Sequence, residues 1–116
     1  MNTSNLEKGI KILRDFSKTV PKNSGVYKMI SANREILYVG KAKDLNKRIR
    51  SYANAKGFNF RLQRMVSLIY KIEFIITKDE ANALLLEAAL IKEIKPKFNI
   101  LLKDDKSYPY ITIRTS

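Results

Sequence analysis

Residues 25–41 read GVYKMISANREILYVGK, and this stretch decides the architecture around it. Branched and aromatic residues fill segments 25–31 and 35–40, and polar residues centred on Asn33 and Arg34 separate them. Two short β-prone segments joined by a polar connection are typical of a β-hairpin. Each segment also places a tyrosine close to a glycine, which is the most informative chemical feature of the chain.

Tyr27 and Tyr38 lie on one face of this hairpin only if its loop has an even number of residues. A loop of two or four residues places Met29 opposite Tyr38, with Tyr27 diagonally placed on the same face. A loop of three residues puts the two phenols on opposite faces of the sheet. We therefore expect an even loop.

Two tyrosines on one face are candidates for proton transfer, because the chain contains no histidine. A phenol ordinarily titrates at pH ~10 and is a poor base unless nearby cations stabilise the phenolate, a role available to Lys41. Each tyrosine alone favours core packing, whereas the pair beside Gly40 and Lys41 favours catalysis. Gly40 is either an ordinary turn glycine or a place where a substrate backbone approaches closely.

The composition points to a polyanionic partner. The 116 residues include 23 Lys and Arg against 11 Asp and Glu, a net charge of +12. Nucleic acid explains this charge better than a membrane surface, since no apolar run approaches the ~20 residues that span a bilayer. The lack of cysteine and histidine excludes disulfides, zinc fingers and Ser-His-Asp catalysis, and it is compatible with a cytoplasmic location.

The rest of the chain predicts a single domain, residues 1–116, with alternating helical and extended segments. Capping boxes are present at Ser4-x-x-Glu7 and at Thr77-x-x-Glu80, and the second begins a helix that Pro96 ends. Asp44 is a candidate N-cap for a helix that carries Leu45, Ile49 and Tyr52 on one side. The other predicted elements are an amino-terminal helix at 5–18, a helix at about 59–69, a strand at 72–77, and an extended pair at 98–102 and 109–114 around a polar turn at 103–107.

Glu87 interrupts the apolar run Ala83-Leu84-Leu85-Leu86 and Ala88-Ala89-Leu90-Ile91. A lone buried carboxylate costs several kcal/mol unless it is paired or binds a metal. The pattern by itself favours the simpler interpretation, in which Glu87 lies on a narrow solvated stripe or pairs with a lysine.

The two tyrosine segments match the signature of the GIY-YIG nucleases, with valine in place of the central isoleucine in each half. The resemblance covers residues 20–113 and is greatest to the amino-terminal domain of UvrC, the bacterial excision-repair nuclease subunit. It is carried by residues 38–45, by Lys47-Arg48 and Ser51-Tyr52, by residues 83–87, and by residues 90–92 through 103–110.

This resemblance implies an α+β fold in which a small central antiparallel sheet of about three main strands is flanked by helices. It implies a Mg²⁺ (or Mn²⁺) ion held by Glu87 and a phosphate contact by Arg48. The implied catalytic set is Tyr27, Tyr38, Gly40, Lys41, Arg48 and Asn99. Nine basic residues against one acidic residue between Ile36 and Ile72 indicate the DNA contacts, which we assign to Lys43, Lys47, Arg50, Tyr52, Arg61 and Arg64.

The implied function is metal-dependent incision of damaged double-stranded DNA on the 3′ side of a lesion. Water attacks the phosphodiester with a tyrosine as base, on DNA presented by UvrB after UvrA has found the damage. Which tyrosine is the base stays open, as does the role of Asn99, which either fixes a loop, bonds a tyrosine or forms a plain turn. The chain is then expected to be a fragment of a longer protein.

Two other functions remain compatible with the sequence. One is a noncatalytic nucleic-acid-binding module, and the other is a homing, restriction or stand-alone repair nuclease of the same superfamily. A rival metal site at Asp104 and Asp105 is disfavoured, because adjacent residues in an extended segment point to opposite faces.

Overall fold

A computed structural model describes the backbone of residues 2–103 and the side chains of residues 5–103. None of the described helices is long and apolar enough to cross a bilayer. The elements, in chain order, are α1 (Asn2–Ser17), β1 (Gly25–Ser31), β2 (Ile36–Ala42), α2 (Leu45–Ser51), a 3₁₀ helix (Tyr52–Gly57), α3 (Phe60–Leu68), β3 (Ile69–Ile76), α4 (Glu80–Ile94) and α5 (Lys97–Lys103).

The three strands form one antiparallel sheet in the order β2-β1-β3, so β1 lies in the middle. This confirms the expected α+β class with a small antiparallel sheet flanked by helices. Because β2 is at the edge of the sheet, every second residue along it directs its backbone N–H and C=O away from β1.

Although the strand bounds leave residues 32–35 between β1 and β2, Ser31 and Glu35 still pair by a backbone hydrogen bond. The loop that they close therefore has three residues, and the expectation of an even loop was wrong. Ser31 N–H donates to Glu35 O at 2.9 Å, and Arg34 between them adopts a left-handed φ of 71°. The pairing then shifts, because Ile30 faces Ile36 while Met29 faces Tyr38. Leu37 is therefore an extra residue in β2, a β-bulge that restores the register in which the two tyrosines share a face.

The two faces of the sheet carry separate apolar clusters. On one face, Tyr27 and Tyr38 pack with buried residues of α1, α2 and α3, including Leu13, Ile49 and Met65. On the other face, α4 covers β1 and β2. There Val26, Val39 and Ala83 are buried together. Helices therefore cover both faces of the sheet, and the helices of the two faces come together along the outer edge of β2.

Two predicted N-caps differ from the structure. Helix α1 already includes Ser4, so this serine is not its N-cap. Helix α4 is capped by Asp79, whose Oδ1 accepts from Asn82 N–H at 2.8 Å, rather than by Thr77.

The extended segment predicted at 98–102 is helix α5 instead. Phe98 and Leu102 are both buried at helical i, i+4 spacing, a signal that the extended assignment overlooked. The partner segment at 109–114 and residues 104–107 of the predicted turn lie outside the described residues. By contrast, the predicted Asp44 cap of α2 is confirmed, because its Oδ1 accepts from Lys47 N–H at 2.9 Å.

Gly40 pairs with Tyr27 across the hairpin, and the phenol ring occupies the space where a Gly40 side chain would lie. A Cβ added at Gly40 would lie 2.5 Å from Tyr27 Oη and 2.6 Å from its Cζ. Both distances are far inside van der Waals contact, so no side chain fits unless the buried ring moves. Glycine is therefore required here by an aromatic neighbour in the same hairpin.

We predict that Gly40→Ala destabilises the protein by ~1–3 kcal/mol, the typical cost of overpacking a well-filled core. Gly57→Ala is the matched control, because no atom lies within 4 Å of a Cβ added there. Urea unfolding followed by circular dichroism measures both. Equal midpoints for the two variants would show that the Tyr27 ring can move away from Gly40 at little cost in stability.

Candidate active site at the outer edge of β2

The side chain of Asn99 on α5 takes the place of a neighbouring strand beside β2. Its Oδ1 accepts from Val39 N–H at 2.9 Å, and its Nδ2 donates to Val39 O at 2.8 Å. A carboxamide is the side-chain group that offers one donor and one acceptor in this arrangement. Asn99 thus holds the backbone between Tyr38 and Gly40, which corresponds to the first of its three predicted roles, fixing a backbone segment.

Glu87 on α4 satisfies the next outward-facing group of β2. Its Oε2 accepts from Lys41 N–H at 2.8 Å, two residues along the strand from the Asn99 contact. The solvated-stripe interpretation of Glu87 is therefore wrong, because the carboxylate is half-buried and engaged. Lys41 itself directs its ammonium toward Glu80, at a Nζ–Oε2 distance of 3.9 Å.

Burial raises the pKa of the Glu87 carboxyl above its ordinary value. The hydrogen bond from Lys41 N–H and the positive charges of Lys41 and Arg48 oppose this effect without cancelling it. The carboxylate is consequently poorly solvated and close to two cations. A half-buried carboxyl with a perturbed pKa beside two cations is typical of a functional site.

The phenols of Tyr27, Tyr38 and Tyr52 form a cluster on the sheet face opposite α4. The ring centroid of Tyr27 lies 6.1 Å from that of Tyr38 and 6.0 Å from that of Tyr52. Tyr27 and Tyr52 share a hydrogen bond of 2.8 Å between their hydroxyl oxygens. Tyr27 is fully buried, whereas Tyr38 keeps 8% of its surface exposed.

Tyr52 was predicted to contact DNA, and the structure contradicts this, because its side chain is 0% exposed. It is instead the hydrogen-bond partner of a predicted catalytic tyrosine, a role that the sequence reasoning missed. The signal was available: Tyr52 follows Ile49 by three residues, on the same helical side as buried Leu45. Gly40 was expected to be either a turn glycine or a place where a substrate backbone approaches. It lies within β2 instead, and the Tyr27 ring fills the space where a side chain would be.

Arg48 lies on α2, half-buried, and its charge acts on Glu87. It lines an open cavity of about 680 Å³ together with two predicted DNA contacts, Lys43 and Lys47, which are exposed. Arg48, Lys41 and Glu87 thus bring both charge signs together beside the tyrosines. This group of three, with the tyrosines and Asn99, is the candidate active site.

The other predicted DNA contacts lie on different elements. Arg50 is exposed on α2 and its Nε donates to Asn46 Oδ1 at 2.7 Å. Arg61 and Arg64 are exposed on α3, away from the cavity that contains Arg48. The structure therefore brings Lys43 and Lys47 to the site and does not bring Arg50, Arg61 or Arg64 there.

Glu87 is the group in this site that fits a hard cation. Within residues 5–103, no cluster of three or more acidic ligands forms a metal cage. One carboxylate, with waters and a substrate phosphate completing the shell, is an arrangement that Mg²⁺ accepts. Oε2 accepts the hydrogen bond from Lys41 N–H, which fixes the orientation of the carboxylate.

Comparison with known proteins identifies the family. Residues 23–100 match the family model of the UvrC-like GIY-YIG domain. The fold is that of a GIY-YIG nuclease domain, a phosphodiester hydrolase. Within that class, the chain belongs to the UvrC-like GIY-YIG family.

The relatives support the same assignment. UvrABC system protein C of Maricaulis maris is 50% identical over 106 residues, which cover 91% of this chain and 17% of the relative. The corresponding protein of Gluconobacter oxydans is 50% identical over 110 residues, 95% of this chain and 17% of the relative. The chain thus spans about one sixth of the length of these curated relatives.

A solved structure shows the same fold. The GIY-YIG N-terminal endonuclease domain of UvrC from Thermotoga maritima, bound to magnesium as its catalytic divalent cation, matches with a TM-score of 0.67 and 34% identity. The match covers 74% of this chain and 93% of that one. The Thermotoga domain has also been solved with its cation as point mutants of an asparagine and of three tyrosines.

We predict that Glu87→Gln raises the melting temperature in metal-free buffer at neutral pH. Because burial raises the pKa of Glu87 in the folded state, the unfolded chain releases this proton at a lower pH than the folded chain does. Wild-type stability therefore falls as the pH rises between the two pKa values, while a neutral glutamine is unaffected. The advantage of the variant should be absent below that window and present above it.

Glu93→Gln, exposed on the same helix, controls for the loss of one negative charge. Added Mg²⁺ should stabilise the wild type and the control by mass action, but not Glu87→Gln. Scanning calorimetry across pH, with and without Mg²⁺, measures both effects. A Glu87→Gln variant less stable than the wild type at neutral pH would show that the buried charge of Glu87 does not destabilise the metal-free protein.

Proposed function

We propose that this chain is the metal-dependent DNA endonuclease domain that makes the 3′-side incision at lesions in nucleotide excision repair. The observation that carries the proposal is the half-buried Glu87 carboxylate, held by the β2 backbone beside Lys41, Arg48 and the tyrosine cluster. The implied substrate is damaged double-stranded DNA, presented by UvrB after UvrA-dependent recognition in the cytoplasm. The relatives' greater length fits a domain, residues 1–116, that works within a longer protein.

Glu87 would hold a Mg²⁺ ion through its carboxylate. When bound, such an ion polarises the scissile phosphate and stabilises the negative charge on the leaving oxygen. Lys41 N–H keeps the carboxylate in one orientation, and the charges of Lys41 and Arg48 help to keep it ionised. Manganese would satisfy the same oxygen ligand set.

Tyr38 is the better candidate for the general base. Water has to reach the phenol that takes its proton, and Tyr38 keeps exposed surface whereas Tyr27 is fully buried. In the proposed reaction, Tyr38 acts as its phenolate: the water oxygen bonds to phosphorus while the phenolate oxygen takes the water proton. The bond from phosphorus to the leaving sugar oxygen breaks, and that oxygen then takes a proton from solvent. Tyr27, bonded to Tyr52, then orients the neighbouring phenol through ring contact.

Arg48 would meet the phosphate on which negative charge accumulates during attack. A guanidinium offers several N–H donors in a plane and matches phosphate oxygens in pairs. Lys43 and Lys47 line the same cavity and extend the positive surface along which a DNA backbone would run. Arg50 would add a contact at the margin of this surface.

We predict that Glu87→Gln lowers Mg²⁺-dependent nicking at least ~100-fold, since metal-assisted charge stabilisation supplies several kcal/mol to such reactions. The substrate is a duplex with one lesion, with UvrA and UvrB present, and strand cleavage is read on a denaturing gel. DNA affinity should stay close to that of the wild type, because the cationic residues are unchanged. Glu93→Gln is again the matched control.

Two results would count against the proposal. Full nicking by Glu87→Gln would show that this carboxylate does not hold the metal. A wild-type chain that binds DNA but shows no nicking in Mg²⁺ above the level in chelator would instead support the noncatalytic binding module. Cleavage of undamaged duplex by the chain alone should be weak, because its charge supplies affinity without lesion recognition.

A further inference from the structure

A second cationic surface lies away from the candidate active site. It is an open groove of about 660 Å³ between α1, α3 and α5. Its lining consists mainly of apolar groups with basic residues among them: Leu6, Phe60, Arg61, Gln63, Arg64, Ser67, Lys97, Phe98 and Leu101. We refer to it as the α3–α5 groove.

Phe60 is the exposed aromatic residue of this groove. It is the first residue of α3 and is 86% exposed, although a phenyl ring gains more from burial than most side chains do. The neighbouring Phe98, by contrast, is only 2% exposed and forms part of the core. The Phe60 ring therefore contributes little to the fold and is available to a ligand.

The groove is positively charged, with Arg61, Arg64 and Lys97 along it and no carboxylate among its lining residues. In the part of the chain that the structure describes, no acidic group lies within salt-bridge distance of these three cations. Arg61 Nη1 donates to Leu101 O at 2.9 Å, which ties α3 to α5. Arg64 and Lys97 are both exposed.

Helix α5 connects the groove to the candidate active site. Its Asn99 is bonded to the Val39 backbone of β2, while its Phe98 and Leu101 line the groove from another side of the same helix. The groove and the edge of β2 are thus separated by about the thickness of one helix, ~10 Å. A DNA strand that occupies the site would cross this distance within a few nucleotides.

We propose that the α3–α5 groove binds unpaired DNA bases adjoining the incision site, with Phe60 as a stacking platform and Arg64 and Lys97 as phosphate contacts. An exposed aromatic ring among uncompensated cations is the combination by which proteins bind single-stranded nucleic acid without sequence preference. Unpaired DNA offers flat base faces that can stack on Phe60. Its phosphates carry the negative charge that complements Arg64 and Lys97. The proposal rests on the proposed action on DNA, and it predicts that strand separation near the lesion favours binding.

The test is fluorescence anisotropy with a labelled oligothymidylate of about ten nucleotides and a duplex of equal length. Phe60→Ala should weaken oligothymidylate binding about tenfold and duplex binding less than about twofold, because stacking requires unpaired bases. Phe60→Trp should bind the oligothymidylate at least as well as the wild type. Tyr70→Ala is the matched control, since Tyr70 is an aromatic residue on β3, 62% exposed and outside the groove.

The measurement is made in chelator, so no cleavage contributes and the result does not depend on whether the chain is a nuclease. Equal losses on the oligothymidylate and the duplex, or no loss with Phe60→Ala, would overturn the proposal. So would Phe60-dependent binding of a labelled acidic, leucine-rich helical peptide without Phe60-dependent binding of the oligothymidylate, which would make the groove a protein-docking surface. Thermal unfolding of each variant verifies that the fold is unchanged.

Discussion

Among residues 2–103, no strand lies beside the outer edge of β2, and the candidate site is built from the side chains that satisfy its backbone. Asn99 bonds both outward-facing groups of Val39, and Glu87 accepts from the outward-facing N–H of Lys41. An edge strand with unpaired backbone groups in a partly buried place is costly, so these contacts position α5 and α4 against the sheet. The same contacts bring a carboxylate and a carboxamide to the strand that carries Tyr38 and Gly40. The need to hydrogen-bond the outer edge of β2 therefore places Asn99 and Glu87 in the candidate site.

Glu87 lowers the stability of the fold while it is proposed to serve the function. Its burial disfavours the charged form, and the cations of Lys41 and Arg48 only partly offset that cost. A neutral residue would satisfy the Lys41 N–H equally well, so backbone satisfaction alone does not explain a carboxylate. Its retention fits a site in which a bound cation would supply the missing favourable interaction. The tyrosine cluster lies on the sheet face opposite α4, where Tyr27 and Tyr52 are fully buried and Tyr38 keeps some exposed surface.

Local patterns predicted much of the fold correctly. The hairpin segments, the Asp44 cap and helix α3 follow from residues within a few positions of one another, where propensity and side-chain spacing act directly. Helix α5 was missed because its few residues, Phe98 and Leu102 among them, carry both strand-like composition and helical spacing. The loop length was also wrong, yet the shared face of Tyr27 and Tyr38 was right. The bulge at Leu37 cancels the effect of the three-residue loop, and nothing in the local sequence announces a bulge.

The sequence by itself determined the class of site: a histidine-free, strongly basic chain with paired tyrosines, a carboxylate in an apolar helix, and the family to which these belong. The sequence also showed a glycine at position 40 close to a tyrosine. Coordinates were required to show why a glycine is needed there, namely that the Tyr27 ring occupies the space of a side chain. Only the tertiary structure decided that Tyr52 is buried against Tyr27, and that Glu87 and Asn99 both bond the edge of β2. These contacts join residues 25, 46 and 60 positions apart. Composition and periodicity report on neighbours along the chain, whereas such contacts depend on how helices and strands pack in space.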